Sequence, residues 1–223
     1  MGYLGSKAAS GVYQKIIANM PPHDTYIETH LGGGAIMLRK PPVKANIGVD
    51  IDQDALAEFN ISHRLPYVQL IQHDAAHFLG SFDFTAAGRV LIYADPPYMP
   101  ETRTSNARYR HEYTTDDHRR LITCLRSLPA SVMLSGYPSA LYSELLPDWR
   151  SITFQAMTRG GVRTEQLWMN FPEGKPFTTA YAGVDYIDRQ RIKRKVERWR
   201  KKYQALPPVE RLAIMQALSN IDD

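Results

Sequence analysis

The run Val90-Leu91-Ile92-Tyr93-Ala94, closed by Asp95-Pro96-Pro97-Tyr98, most limits what this chain can become. Five β-prone residues without a polar break read as a strand buried on both faces. Such strands belong to parallel sheets covered by helices. Two prolines then forbid continuation as strand or helix and fix φ twice. A carboxylate and an aromatic ring are thereby held on a stiff turn at the carboxyl end of a strand, where open α/β sheets bind their ligands. Asp95 and the Pro96 carbonyl, which has no companion N–H, offer acceptors beside the flat face of Tyr98. That combination suits a planar ring carrying an amino group.

The rest of the chain repeats the strand-then-helix texture. Strands are expected at 25–28, 45–50, 67–72, 89–94 and 131–135. Helices are expected at 7–19, 35–40, 53–64, 75–79, 115–128 and 139–146. Segments 150–157 and 165–171 read as a closing hairpin around Gly160-Gly161. Alternation of this kind implies an α/β fold: a mainly parallel twisted sheet with helices on both faces and an antiparallel edge strand. Residues 99–114 form a long polar loop rich in Arg, Thr and Tyr, a length that in compact domains marks functional segments.

Beyond Pro172 the texture changes. Residues 172–184 read as a linker, and two helices follow at 185–203 and 208–219. The first carries a narrow apolar stripe of Ile192, Val196, Trp199 and Tyr203. The second should turn Val209, Leu212, Met215 and Leu218 inward. Residues 189–203 hold nine Lys/Arg and one Glu, a net +8, against +4 for the whole chain. A basic tail on an otherwise acidic body points to a polyanionic partner. The expected division is 1–171 as the chemical domain, 172–184 as linker and 185–223 as a basic helical extension. A single cysteine, Cys124, excludes an internal disulfide and a cysteine-rich metal site, so no metal is expected. The absence of a long apolar run or a signal-peptide pattern favours a cytoplasmic protein with no membrane partner.

Three strand ends carry acids: Asp50, Asp74 and Asp95. The glycine loop Gly32-Gly33-Gly34 lies between a strand and a helical segment, where a ligand can approach the backbone closely. Asp50, at the end of the next strand, is placed to accept from a pair of ribose hydroxyls, and Asp74 repeats the arrangement opposite an adenine amine. No Lys-Ser/Thr follows the glycines, so this is not a nucleotide triphosphate loop. The implied ligand is a nucleoside without a demanding phosphate site.

Taken together, these segments resemble the Dam-like family of S-adenosylmethionine-dependent DNA adenine methyltransferases. The resemblance is carried by Tyr3-Leu4-Gly5-Ser6-Lys7, Tyr26 to Ala35, Gly48-Val49-Asp50-Ile51-Asp52, Asp95 to Tyr98 and Thr164 to Phe171. It implies a Rossmann-like methyltransferase fold with a C-terminal basic helical hairpin. It also implies transfer of a methyl group to the exocyclic N6 amine of a flipped adenine in DNA. Asp95 and the Pro96 carbonyl accept from the amine on the turn fixed by Pro96-Pro97, and Tyr98 stacks on the base. On the cofactor side it implies Tyr3 and Lys7 at the methionine end, Glu28 behind the glycine loop, Asp50 at the ribose and Asp74 at the adenine. Two departures stand out. Thr29-His30 replaces the family's Pro-Phe. Only about twenty residues separate Asp74 from Asp95, where relatives insert a target-recognition region. Recognition of DNA therefore falls to Arg103, Arg108 and Arg110 of the long loop and to Arg191, Lys193, Arg194, Lys195, Arg198, Lys201 and Lys202 of the hairpin, or is relaxed. The rival readings are methyl transfer to RNA or a protein amide, and a nucleic-acid-binding protein without turnover.

Overall fold

The computed structural model describes residues 7–8, 11–99, 102, 109–158 and 161–220, without the side chain of Thr158. Tyr3, Arg103 and Arg108, expected at the cofactor and the DNA, lie outside the described residues. The chain falls into two compact units, Met1–Ala180 and Tyr181–Asp223.

In the first unit, seven strands form one sheet in the order β3-β2-β1-β4-β5-β7-β6. They are β1 (Thr25–Thr29), β2 (Ala45–Asp50), β3 (Val68–Gln72), β4 (Val90–Ala94), β5 (Ser131–Gly136), β6 (Arg150–Thr158) and β7 (Gly161–Met169). The first five are parallel. The antiparallel member is β7, one place in from the edge strand β6. Burial explains the insertion. Leu167, Trp168 and Met169 of β7 are all buried, whereas β6 alternates buried and open residues in the way an edge tolerates.

Helix α1 (Val12–Ala18) precedes the first strand, and α2 (Gln53–His63), α3 (Ala75–Ser81), α4 (Thr115–Ser127) and α5 (Ala140–Leu145) connect later ones. Four begin where a short polar side chain caps them: Asp52, Asp74, Thr114 and Ser139. The first helix starts only at Val12, because Gly11 sits at φ +94°. Residues 35–40, expected as helix, are a string of turns. Six residues between Gly34 at φ +58° and Pro41-Pro42 leave too little room for a helix to propagate.

The chain order reverses at β1. From β1 it runs outward through β2 and β3, then returns to place β4 on the other side. The carboxyl ends of β1 and β4 therefore open a crevice, the position where such sheets bind ligands. Register fixes what faces it: Thr29 pairs with Ala94, so His30 and Asp95 leave the sheet side by side. Both strands are buried along their whole length and hold that edge rigidly.

The second unit contains α6 (Tyr186–Gln204) and α7 (Pro208–Ser219). Asp185 caps α6, and the Tyr203 hydroxyl donates to the Arg211 carbonyl across the turn. The inward placement of Val209, Leu212, Met215 and Leu218 does not hold, since all four are at least 59% exposed. Two helices present too little surface to bury a stripe on each.

Candidate active site

One cleft gathers most of the residues singled out above. Its walls are Lys7, Glu28, His30, the loop Gly32-Gly33-Gly34, Asp50, Asp52, Asp95, Pro96 and Pro97, with Tyr109, Arg110, His111 and Tyr113 from the long loop.

At one end, Asp50 is buried and each of its oxygens accepts a backbone N–H, Oδ2 from Gly32 at 2.7 Å and Oδ1 from Asp52 at 2.9 Å. Burial raises its pKa while these two bonds oppose the shift. Asp50 thus fixes the glycine loop as well as facing the cleft. Gly34 must be glycine: besides its positive φ, a Cβ there would lie 2.2 Å from the Phe59 ring of α2. Behind the loop, Glu28 is buried and accepts from the Tyr26 hydroxyl at 2.9 Å. Burial pushes Glu28 up to about 8; the Tyr26 bond opposes this and the Asp95 carboxylate adds to it.

At the other end stands the Asp95 turn. Lys7 reaches it from the N-terminal segment and is 3% exposed. Its ammonium donates to Asp95 Oδ1 at 2.8 Å and to the Tyr98 hydroxyl, and it lies 3.6 Å from Glu165 Oε2. Burial lowers the lysine pKa, but Asp95 and Glu165 outweigh it and keep Lys7 above its usual value. Tyr98 is buried, with its ring centroid 4.4 Å from that of Tyr137.

Other expected residues stand elsewhere or do other work. Asp74 is not part of the cleft wall. Its carboxylate caps α3 through the His77 N–H and makes a bidentate pair with Arg120 at 3.0 and 3.1 Å. Arg110 pairs with Asp52 at 3.0 Å and Asp54 at 3.4 Å, tying the long loop to the start of α2 beside the cofactor end. On the hairpin, Lys193, Arg194, Arg198, Lys201 and Lys202 line one shared groove at helical spacing. Arg191 and Lys195 are not part of it, and Arg191 pairs with Asp188.

The sequence reading missed Glu165, Tyr137, Tyr109, His111 and Tyr113, and gave His30 no site role. His30 lines the cleft in a left-handed conformation (φ 58°) and bonds Tyr113 Oη at 2.7 Å. Burial lowers its pKa to about 4, so it is neutral at physiological pH. The available signal for Glu165 was strand alternation, which puts it on the same face as Leu167 and Met169.

The residues present suit a cationic nucleoside sulfonium. Carboxylates from Asp50 and Asp95 stand at the two ends, an open glycine backbone lies between, and acceptors are placed for hydroxyls. A stretch of 79 residues is 34% identical to the type II methyltransferase M1.LlaDCHI of Lactococcus lactis subsp. cremoris, covering 33% of this chain and 28% of that protein. Among solved structures, a dimethyladenosine transferase from Plasmodium falciparum is 16% identical over 70% of this chain and 60% of its own, with a TM-score of 0.45. TrmK of M. capricolum, bound to S-adenosylhomocysteine, is 8% identical over 94% of each chain, with a TM-score of 0.44. At these scores the structural likenesses carry no functional weight. The model of the D12 class N6 adenine-specific DNA methyltransferases, however, matches residues 53–164, half of the chain and inclusive of the Asp95 turn. The chain belongs to that class, whose methyl donor is S-adenosylmethionine.

Proposed function

We propose that this protein transfers a methyl group to the N6 amine of an adenine turned out of duplex DNA. The observation that carries the reading is the single cleft with the glycine loop and Asp50 at one end and Asp95-Pro96-Pro97 at the other. S-adenosylmethionine, when bound, supplies an electrophilic methyl on a sulfonium. Asp50, Glu28 and the glycine loop are the residues that hold it, with Lys7 at the junction of the two ends. Asp95 Oδ2 and the Pro96 carbonyl accept the two amine hydrogens. That orients the nitrogen and keeps electron density on it as the C–N bond would form and the methyl–sulfur bond break, leaving a neutral thioether and releasing one amine proton to solvent. Much of the acceleration then comes from placement, since the methyl is already activated.

Base flipping belongs to this reading because the Asp95 and Pro96 acceptors on the cleft wall must meet an amine that is paired within a duplex. Tyr98 is the stacking surface in this reading, and because its ring is buried against Tyr137, stacking requires Tyr137 to give way. Such stacking is worth roughly 1–3 kcal/mol, against a few kcal/mol for unstacking. The groove of five Lys/Arg on α6 supports contact with DNA phosphates, and the remaining candidates for base readout are few, which favours relaxed recognition.

The test is to incubate the purified protein with methyl-labelled cofactor and DNA, RNA or protein acceptors in parallel, then digest each to its monomers. Label in N6-methyladenine from DNA is the expected result. Bound cofactor with label only in RNA or protein, or in neither, overturns the reading.

A further inference from the structure

We infer that Glu165 is a positioning residue for methyl transfer. It shares the buried ammonium of Lys7 and so limits how strongly that ammonium draws on Asp95. The inference rests on the function proposed above.

Glu165 sits on β7, directly beyond the last β5 pair, Gly136 with Gln166. That places it on the carboxyl edge of the sheet, level with the Asp95 turn, although it comes from an antiparallel strand. Its residue is 5% exposed, and its Oε2 takes no hydrogen bond of its own. A buried carboxylate in that condition is costly unless a charge stands close by. The near charge is Lys7 Nζ at 3.6 Å.

An ammonium has three donors. Lys7 donates to Asp95 Oδ1 and to the Tyr98 hydroxyl, and its ammonium also stands 3.6 Å from Glu165 Oε2 as an ion pair. Asp95 alone would neutralise Lys7, so a second buried carboxylate is more than charge balance requires. Its consequence falls on Asp95. With Glu165 present, Lys7 is held by a group on each side, and Asp95 Oδ2 accepts no hydrogen bond from the described residues. Without Glu165, the ammonium loses one of the two carboxylates that flank it, and the balance of its attraction shifts toward Asp95. Electron density is then withdrawn from the oxygen that must accept from the target amine. Cofactor binding, which uses the Asp50 end, is spared.

The test compares wild type with Glu165→Gln, Glu165→Asp, Lys7→Met and the double variant Lys7→Met/Glu165→Gln. Methyl transfer to duplex DNA is measured alongside cofactor affinity by calorimetry and melting by circular dichroism. Glu165→Gln is expected to lower kcat about ten- to a hundredfold, the kinetic equivalent of one charged hydrogen bond. The cofactor Kd stays close to wild type, and Glu165→Asp recovers part of the loss. In the Lys7→Met background, Glu165→Gln has no further effect, because the group it acts through is gone. A wild-type kcat in Glu165→Gln, a loss that multiplies with that of Lys7→Met, or a fall in kcat matched by equal falls in affinity and Tm overturns the inference. A wild type that binds cofactor but methylates no adenine overturns the proposed function, and the inference with it.

Discussion

Asp50 and Asp95 end the two strands that flank β1, yet they are held in different ways. Asp50 is fixed by backbone N–H groups of Gly32 and Asp52, which belong to the loops beside it. Among the described residues Asp95 is held by one side chain, Lys7, from 88 residues earlier, and Lys7 stands beside Glu165, two strands along on the same edge of the sheet. The cofactor end is therefore built from loops beside neighbouring strands. The transfer end depends on three distant segments arriving together. Disturbing the first should change affinity, and disturbing the second should change turnover.

The strongest test of that contrast is Asp95→Ala. Methyl transfer to DNA should fall on the order of a hundred- to a thousandfold, the loss seen when one preorganised polar group facing the reacting atoms is removed. Calorimetry should find cofactor affinity largely kept. An equal loss of affinity would merge the two ends into one.

Asp50→Ala should show the converse. The cofactor loses one charged acceptor, worth about 1.5–3 kcal/mol, so its binding weakens roughly ten- to a hundredfold, while kcat at saturating cofactor changes less and the two unpaired N–H groups lower Tm. A variant altered in kcat alone would break the contrast.

Glu28 sharpens it through pH. Its pKa is raised to about 8 in the fold, chiefly by burial, from an ordinary value of 4.5. Between those values the folded state binds more protons than the unfolded one. Its contribution to stability is complete below the unfolded pKa and is lost as pH rises through the folded pKa. The Tm of wild type should therefore drop by a few degrees from about pH 5 to about pH 8, and Glu28→Gln should flatten that slope. A slope unchanged in the variant would place the titration elsewhere.

The smallest effect belongs to Asp74→Ala. Its carboxylate caps α3 and pairs with Arg120, which is half exposed, so the cost should be near ~1 kcal/mol of stability. Cofactor affinity should hold within a few-fold. A loss as large as that of Asp50→Ala would bring Asp74 to the cofactor after all.

The three strand-terminal aspartates look alike in sequence, and only two of them meet at the cleft. Each precedes a helical stretch, so each can cap a helix or face a ligand, and spacing alone cannot separate the roles. Arg110 is a similar case. Its charge suggested a polyanion, but Asp52 and Asp54, more than fifty residues away in the chain, claim it.

What the sequence determined by itself was the local and periodic content. Continuous apolar runs make buried parallel strands, Pro96-Pro97 stops β4, glycines open the backbone after β1, and clustered Lys/Arg makes a basic helix. These depend on residues a few places apart. The tertiary structure alone decided that β7 inserts between β5 and β6, that Glu165 reaches the carboxyl edge of the sheet, and that Lys7 closes on Asp95 and Tyr98. The contacts of Lys7 join segments 88 to 158 residues apart. The strand insertion rests on apolar burial and the Lys7 contacts on mutual compensation of buried charges, and both depend on residues no local pattern brings together.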